Sequence, residues 1–181
     1  MNVPNAISLG RLLSVPVVVW LILIEQLAAA FWVFAAAGIS DALDGFIAKR
    51  FNAETEFGKF LDPLADKALL VSVYVSLGHA GYLEIWLVIL VVFRDALIVG
   101  GAILFQAVTR SLSMQPLLIS KVNTAAQIVL ASIVLGGVGL EVDAGWLVPV
   151  MVYTVAVTTL MSGGIYVVTW SLRADLMEGG K

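Results

Sequence analysis

The stretch Asp41-Ala-Leu-Asp-Gly-Phe-Ile-Ala-Lys-Arg-Phe-Asn-Ala-Glu-Thr-Glu-Phe-Gly-Lys-Phe-Leu-Asp-Pro-Leu-Ala-Asp66 decides how the chain is read. It lies between long apolar runs, where an ionisable group costs several kcal/mol unless it is paired, hydrated or bound to a metal. On a helix, Asp41 and Asp44 project about 60° apart and Asp62 and Asp66 about 40° apart, so each pair shares one face. Two such faces brought together make a box of oxygen ligands. Bare carboxylates at that spacing repel and take up protons, whereas a hard divalent cation such as Mg2+ keeps them ionised and adds positive charge for a phosphate ligand.

Working outward, the chain of 181 residues is 61% hydrophobic and only 13% charged, with a mean hydropathy of +1.02. Soluble domains carry about twice that charged fraction. The composition predicts an integral membrane protein: an all-α bundle of six transmembrane helices, one domain over residues 1–181, with a short N-terminal interfacial segment. The spans are expected at Ser8–Glu25, Ala28–Lys49, Gly58–Leu77, Tyr82–Phe105, Ser120–Leu140 and Gly145–Leu172, each near the length that crosses about 30 Å of hydrocarbon. The first is read as a retained span, since no small-residue cleavage site follows it. Ser111–Pro116 reads as an ordinary loop.

Charge orients the bundle. Lys49, Arg50, Lys59, Lys67, Arg110, Lys121, Arg173 and Lys181 fall around the even-numbered connections and the tail, while the odd ones carry Glu25, His79, Glu84, Glu141 and Asp143. Short loops rich in Lys and Arg stay cytoplasmic, so the aspartates and both termini are expected on that side. Gly100, Gly101, Gly136, Gly137, Gly139, Gly163 and Gly164 are read as close-packing positions between helices. Trp20, Trp32, Trp86, Trp146 and Trp170 are read as interfacial anchors. A formal net charge of −3, with no basic run, speaks against nucleic acid as a partner. The absence of cysteine excludes thiolate chemistry, and with His79 the sole histidine, proton transfer falls mainly to carboxylates.

The fixed positions Asp41-x2-Asp44-Gly45-x2-Ala48-Lys49-x8-Gly58-x3-Asp62-x3-Asp66 closely resemble the signature of the CDP-alcohol phosphotransferases. Gly45, Ala48 and Gly58 suit the close approach of a nucleotide to helix backbones, since larger side chains would fill that space. The resemblance implies that Asp41, Asp44 and Asp62, with Asp66 beside them, hold a pair of Mg2+ or Mn2+ ions on the diphosphate of CDP-diacylglycerol. It also implies that Asp66 is the general base for the acceptor hydroxyl. Lys49 replaces the family's arginine, which keeps the charge and loses the planar fork; Arg50 points about 100° away.

A second match, Pro4-Asn5-x2-Ser8-x2-Arg11, resembles the opening of bacterial relatives that make phosphatidylglycerol phosphate and cardiolipin. It puts Asn5, Ser8 or Arg11 beside the CDP moiety; the alternative is a helix cap at Asn5 and a snorkelling Arg11. For the acceptor, Arg94, Lys121 and Thr124 are the candidates. Arg94-Asp95 is either a buried clasp or a cavity lining, and the polar site nearby favours the cavity. The pattern from Phe57 to Lys67, with Arg94-Asp95 and Ile119–Gln127, is similar to the CMP-forming cardiolipin synthases, and Asn123 stands where glycerol-phosphate users often carry a second Lys.

The reading is therefore a phosphatidyltransferase with phosphatidylglycerol as acceptor, giving cardiolipin and CMP, in a bacterial inner membrane. The alternative acceptor is sn-glycerol 3-phosphate, giving phosphatidylglycerol phosphate. The family resemblance also implies a homodimer. An intramembrane prenyltransferase and a cation transporter are the rivals from other classes.

Overall fold

In the computed structural model the backbone is described for residues 3–51, 56–109 and 118–178, and side chains for residues 7–41, 64–101 and 118–169. Among the described residues six α-helices follow one another: α1 Val3–Leu23, α2 Leu27–Phe51, α3 Glu56–His79, α4 Ile85–Thr109, α5 Leu118–Gly139 and α6 Leu147–Glu178. No strand occurs among the described residues. Each expected span matches one helix to within a few residues, except α6, which continues past Leu172 to Glu178. The N-terminal residues from Val3 onward belong to α1 itself, so no break separates an interfacial segment from the first span. Ser111–Pro116 lies outside the described residues.

Local chemistry closes the helices. Glu25 sits in the left-handed region at φ 62°, and the Gln26 N–H donates to the Leu21 carbonyl at 2.9 Å. That is the bonding of a helix end turned by a left-handed residue. Gly81, at φ 81°, ends the α3 turn in the same way, with the Tyr82 N–H on the Leu77 carbonyl at 2.9 Å. Here glycine adopts the conformation without steric cost. At the start of α4, the Glu84 carbonyl accepts from the Leu87 N–H at 3.0 Å.

The packing places the candidate site. α1 lies against α2 and α3, α5 against α2 and α6, and α4 against α3 and α6. Val18, Ile22, Ala30, Val73, Tyr74, Leu77, Leu87, Val91, Leu130, Leu135 and Val155 form the buried interior. The surface is apolar as well: Leu13, Trp20, Trp32, Ile39, Phe93 and Tyr153 are exposed, while Arg11, Arg94, Asp95, Asn123 and Gln127 are buried. A water-soluble fold does not distribute its residues that way. Ser40, Ser132, Thr154 and Thr169 each donate their hydroxyl to the carbonyl four residues back, so these hydroxyls are satisfied within their own helices. Leu118–Gly139 and Leu147–Thr169 are long and apolar enough to cross a membrane among the described residues. Trp20, Trp32, Trp86 and Trp146 are exposed, as interfacial anchors require; Trp170 lies outside the described side chains.

The packing reading of the glycines holds at three positions. A Cβ on Gly139 would lie 2.4 Å from the Ala28 nitrogen, one on Gly136 3.1 Å from the Phe31 ring, and one on Gly137 3.4 Å from Ala144. Gly100 and Gly164 face open space within 4 Å, so close packing does not explain them. Gly139→Ala is therefore expected to lower stability by about 1–3 kcal/mol, because backbone cannot give way as a side chain can. Gly164→Ala should be neutral or slightly stabilising. Unfolding of the two variants in mixed micelles tests the contrast.

Candidate active site

Three helices converge at one charged point. Arg11 on α1 places Nη1 2.7 Å from Oδ1 of Asp41 on α2 and 2.5 Å from Oδ1 of Asp66 on α3. The Arg11 side chain is 1% exposed, against 43% for Asp41 and 42% for Asp66. The guanidinium thus grips both carboxylates from the buried side while they face open space. Arg11 is therefore not the snorkelling surface cation, one of its two expected readings; it is buried against the carboxylates of the signature. Ser8, one turn earlier, is fully buried.

A second charged cluster adjoins the first. Asp95 on α4 receives Arg94 Nη1 on Oδ1 and Lys67 Nζ on Oδ2, both at 2.7 Å. Arg94 also donates to Ser120 Oγ at 2.7 Å and to Ser162 Oγ, tying α4 to α5 and α6. With Arg94 3% and Asp95 5% exposed, this is the buried clasp of the two expected alternatives. Lys67 is 30% exposed. One carboxylate between two cations leaves one surplus positive charge.

Both clusters border the same space. A cavity of about 440 Å3 among α1, α2, α3 and α5 carries Arg11, Asp41, Asp66, Lys67 and Thr124 in its lining. The rest is mostly apolar, including Phe34, Ile39, Leu69, Leu70 and Ile128. Thr124 also donates to the Ser120 carbonyl at 3.1 Å. Lys121 is exposed, and neither it nor Arg94 is part of this lining. Asn123, turned away from the cavity, accepts from Thr158 at 2.8 Å and Thr159 at 2.9 Å. Lys67 is the lining cation that sequence reasoning left unassigned. Its signal was present in Lys67 following Asp66 directly, but its partner Asp95 is 28 positions away.

Asp44, Gly45, Ala48 and Lys49 on α2, Gly58 and Asp62 on α3, and Asn5 on α1 lie outside the described side chains. Among the described residues no cluster of three metal-ligating side chains occurs. The two described aspartates nevertheless fit a divalent cation. One cationic nitrogen lies within 2.7 Å of an oxygen from each, so the carboxylates converge on a single point, and their hard oxygens suit Mg2+ or Mn2+.

The chain is 37% identical over 182 residues to a chloroplastic CDP-diacylglycerol–glycerol-3-phosphate 3-phosphatidyltransferase of Oryza sativa subsp. japonica, covering 90% of this chain and 55% of that protein. It is 35% identical over 147 residues to a cardiolipin synthase (CMP-forming) of Rattus norvegicus, covering 72% of this chain and 49% of that one. A Bacillus subtilis CDP-diacylglycerol–glycerol-3-phosphate 3-phosphatidyltransferase is 29% identical over 150 residues, covering 74% of this chain and 76% of that one. The chain spans about half the length of the first two of these relatives. The profile of the CDP-alcohol phosphatidyltransferases matches residues 1–170, and the chain belongs to that family.

Proposed function

We propose that the protein transfers a phosphatidyl group from CDP-diacylglycerol to the hydroxyl of phosphatidylglycerol, forming cardiolipin and releasing CMP. The observation that carries this reading is the amphipathic cavity: Asp41, Asp66 and Lys67 share it with apolar side chains of α2, α3 and α5. A site for small water-soluble substrates has no use for that apolar wall, whereas a lipid can lay a chain along it while its headgroup meets the charges. The surplus positive charge of the Lys67–Asp95–Arg94 cluster suits the single negative charge of a phosphodiester. The alternative acceptor, sn-glycerol 3-phosphate, is favoured by the likeness to the rice and Bacillus enzymes.

Asp41, Asp44, Asp62 and Asp66 would hold the divalent cations, whose charge would neutralise the diphosphate and favour CMP as leaving group. The chain's own groups do the rest. Lys67 attracts the acceptor phosphate, helped by Thr124 from the cavity wall and by the charge of the exposed Lys121, while Arg94 acts through Asp95 to aim Lys67. Gly45, Ala48, Lys49 and Gly58, with Asn5, line the nucleotide's place, while Ser8, fully buried, supports the wall from behind. Asp66 takes the acceptor proton on a carboxylate oxygen as the alcohol oxygen bonds to the phosphatidyl phosphorus and the bond to CMP breaks.

All six helices are proposed to span the membrane, with the aspartates at the cytoplasmic face of a bacterial inner membrane and the chain paired as a homodimer. The exposed apolar side chains support insertion, and the positive connections support the orientation. The test is purified protein with CDP-diacylglycerol, Mg2+ and either acceptor, the lipid products resolved by mass spectrometry. Cardiolipin with phosphatidylglycerol, and no phosphatidylglycerol phosphate with glycerol phosphate, is the expected result; the reverse transfers the assignment to the alternative.

A further inference from the structure

We infer that Arg11 is the positioning residue of the metal site: it holds Asp41 and Asp66 at one shared point from the buried side and does not itself bind the nucleotide phosphates. This rests on the metal reading above. Arg11 borders the cavity, but its side chain is only 1% exposed against 43% for Asp41 and 42% for Asp66, so a phosphate entering from the open side meets the carboxylates and their metal before the guanidinium. Its Nη1 contacts both Oδ1 atoms, which fixes their separation.

Asp41 and Asp66 stand on helices that pack against α1, so this contact is also where the three helices meet. Without a cation behind them the two carboxylates would repel and turn outward into the open space they already face. A divalent cation would then have to gather them from separate rotamers, and the ordering would subtract from its affinity. Preorganisation by a buried guanidinium removes that step. Arginine suits the task because its guanidinium stays charged in a buried setting and donates to several oxygens at fixed angles, which a lysine ammonium on a flexible stem does less well.

The experiment measures Mn2+ binding by electron paramagnetic resonance in purified protein reconstituted in nanodiscs, without nucleotide, in wild type, Arg11→Met and Arg11→Lys. CDP affinity at saturating Mn2+ and unfolding in EDTA are measured in parallel. Nucleotide-free Mn2+ affinity is expected to fall about tenfold or more in Arg11→Met and to recover in part in Arg11→Lys. CDP affinity, once the metal site is saturated, should change little. A purely structural role would lower stability and leave Mn2+ affinity intact; a phosphate-binding role would leave Mn2+ affinity intact and weaken CDP. Either result overturns the inference. If Arg11→Met does not fold, the comparison of Arg11→Lys with wild type carries the test, and wild-type Mn2+ affinity in that variant overturns it equally. Wild-type protein that binds no Mn2+ even with CDP present would instead remove the metal reading on which the inference stands.

Discussion

Asp66→Asn is expected to reduce phosphatidyl transfer by at least about a hundredfold, the lower range of what a positioned general base contributes. Asparagine keeps an oxygen for the Arg11 contact, and Asp41 continues to neutralise the guanidinium, so the junction of α1, α2 and α3 should survive. The substituted position is also 42% exposed, which limits the packing lost. Turnover and unfolding measured on one preparation separate the two effects. Near-normal turnover would remove Asp66 from the base role. A fall in activity matched by a fall in the folded fraction would move its role to holding Arg11. Because Asp66 is also proposed to touch metal, Mn2+ affinity should be measured on the same variant; a loss restored by excess metal would assign it to metal binding alone.

The second large effect concerns stability. Asp95→Leu removes the carboxylate from between Arg94 and Lys67 and leaves Arg94, 3% exposed, with hydroxyl partners on Ser120 and Ser162 and no carboxylate partner among the described residues. Breaking one side of a buried ion pair costs about 3–5 kcal/mol, since the other charge stays desolvated. The double variant Arg94→Met with Asp95→Leu should recover most of that loss, because an apolar pair of similar volume often replaces a buried ion pair without penalty. Unfolding of the wild type, both single variants and the double variant in mixed micelles completes the cycle. Strict additivity would mean that the two residues do not act as a clasp. Lys67, 30% exposed, can find water when Asp95 is gone. The double variant should therefore fold but bind its acceptor less well, since Lys67 is no longer aimed.

The two predictions divide the charged residues by the work each cluster does. Arg11, Asp41 and Asp66 join the helices that carry the aspartate signature. Arg94, Asp95, Ser120 and Ser162 join the helices that do not, and Lys67 links the two sets. Both joints are polar contacts buried in an otherwise apolar bundle, where an unmatched charge is expensive and a matched one fixes helix register.

The sequence determined the helical class, the number of helices and the family. Those depend on local quantities: runs of apolar residues long enough for a span, and carboxylates and glycines whose spacing repeats the turn of a helix. It also placed Asp41 and Asp66 in one site, because a shared signature encodes proximity indirectly. It could not decide what Arg11 and Arg94 do. Each is a cation in an apolar helix whose meaning depends on what faces it: the carboxylates on Arg11 lie on α2 and α3, and although Asp95 is Arg94's neighbour in the chain, Ser120 and Ser162, which complete its set, lie on α5 and α6. Tertiary structure alone brought Arg11 behind the two aspartates, set Lys67 against Asp95, and left a cavity with charge at one part and hydrocarbon along the rest. Helix rotation and contact are settled by packing between segments distant in the chain, and no pattern within a single segment records them.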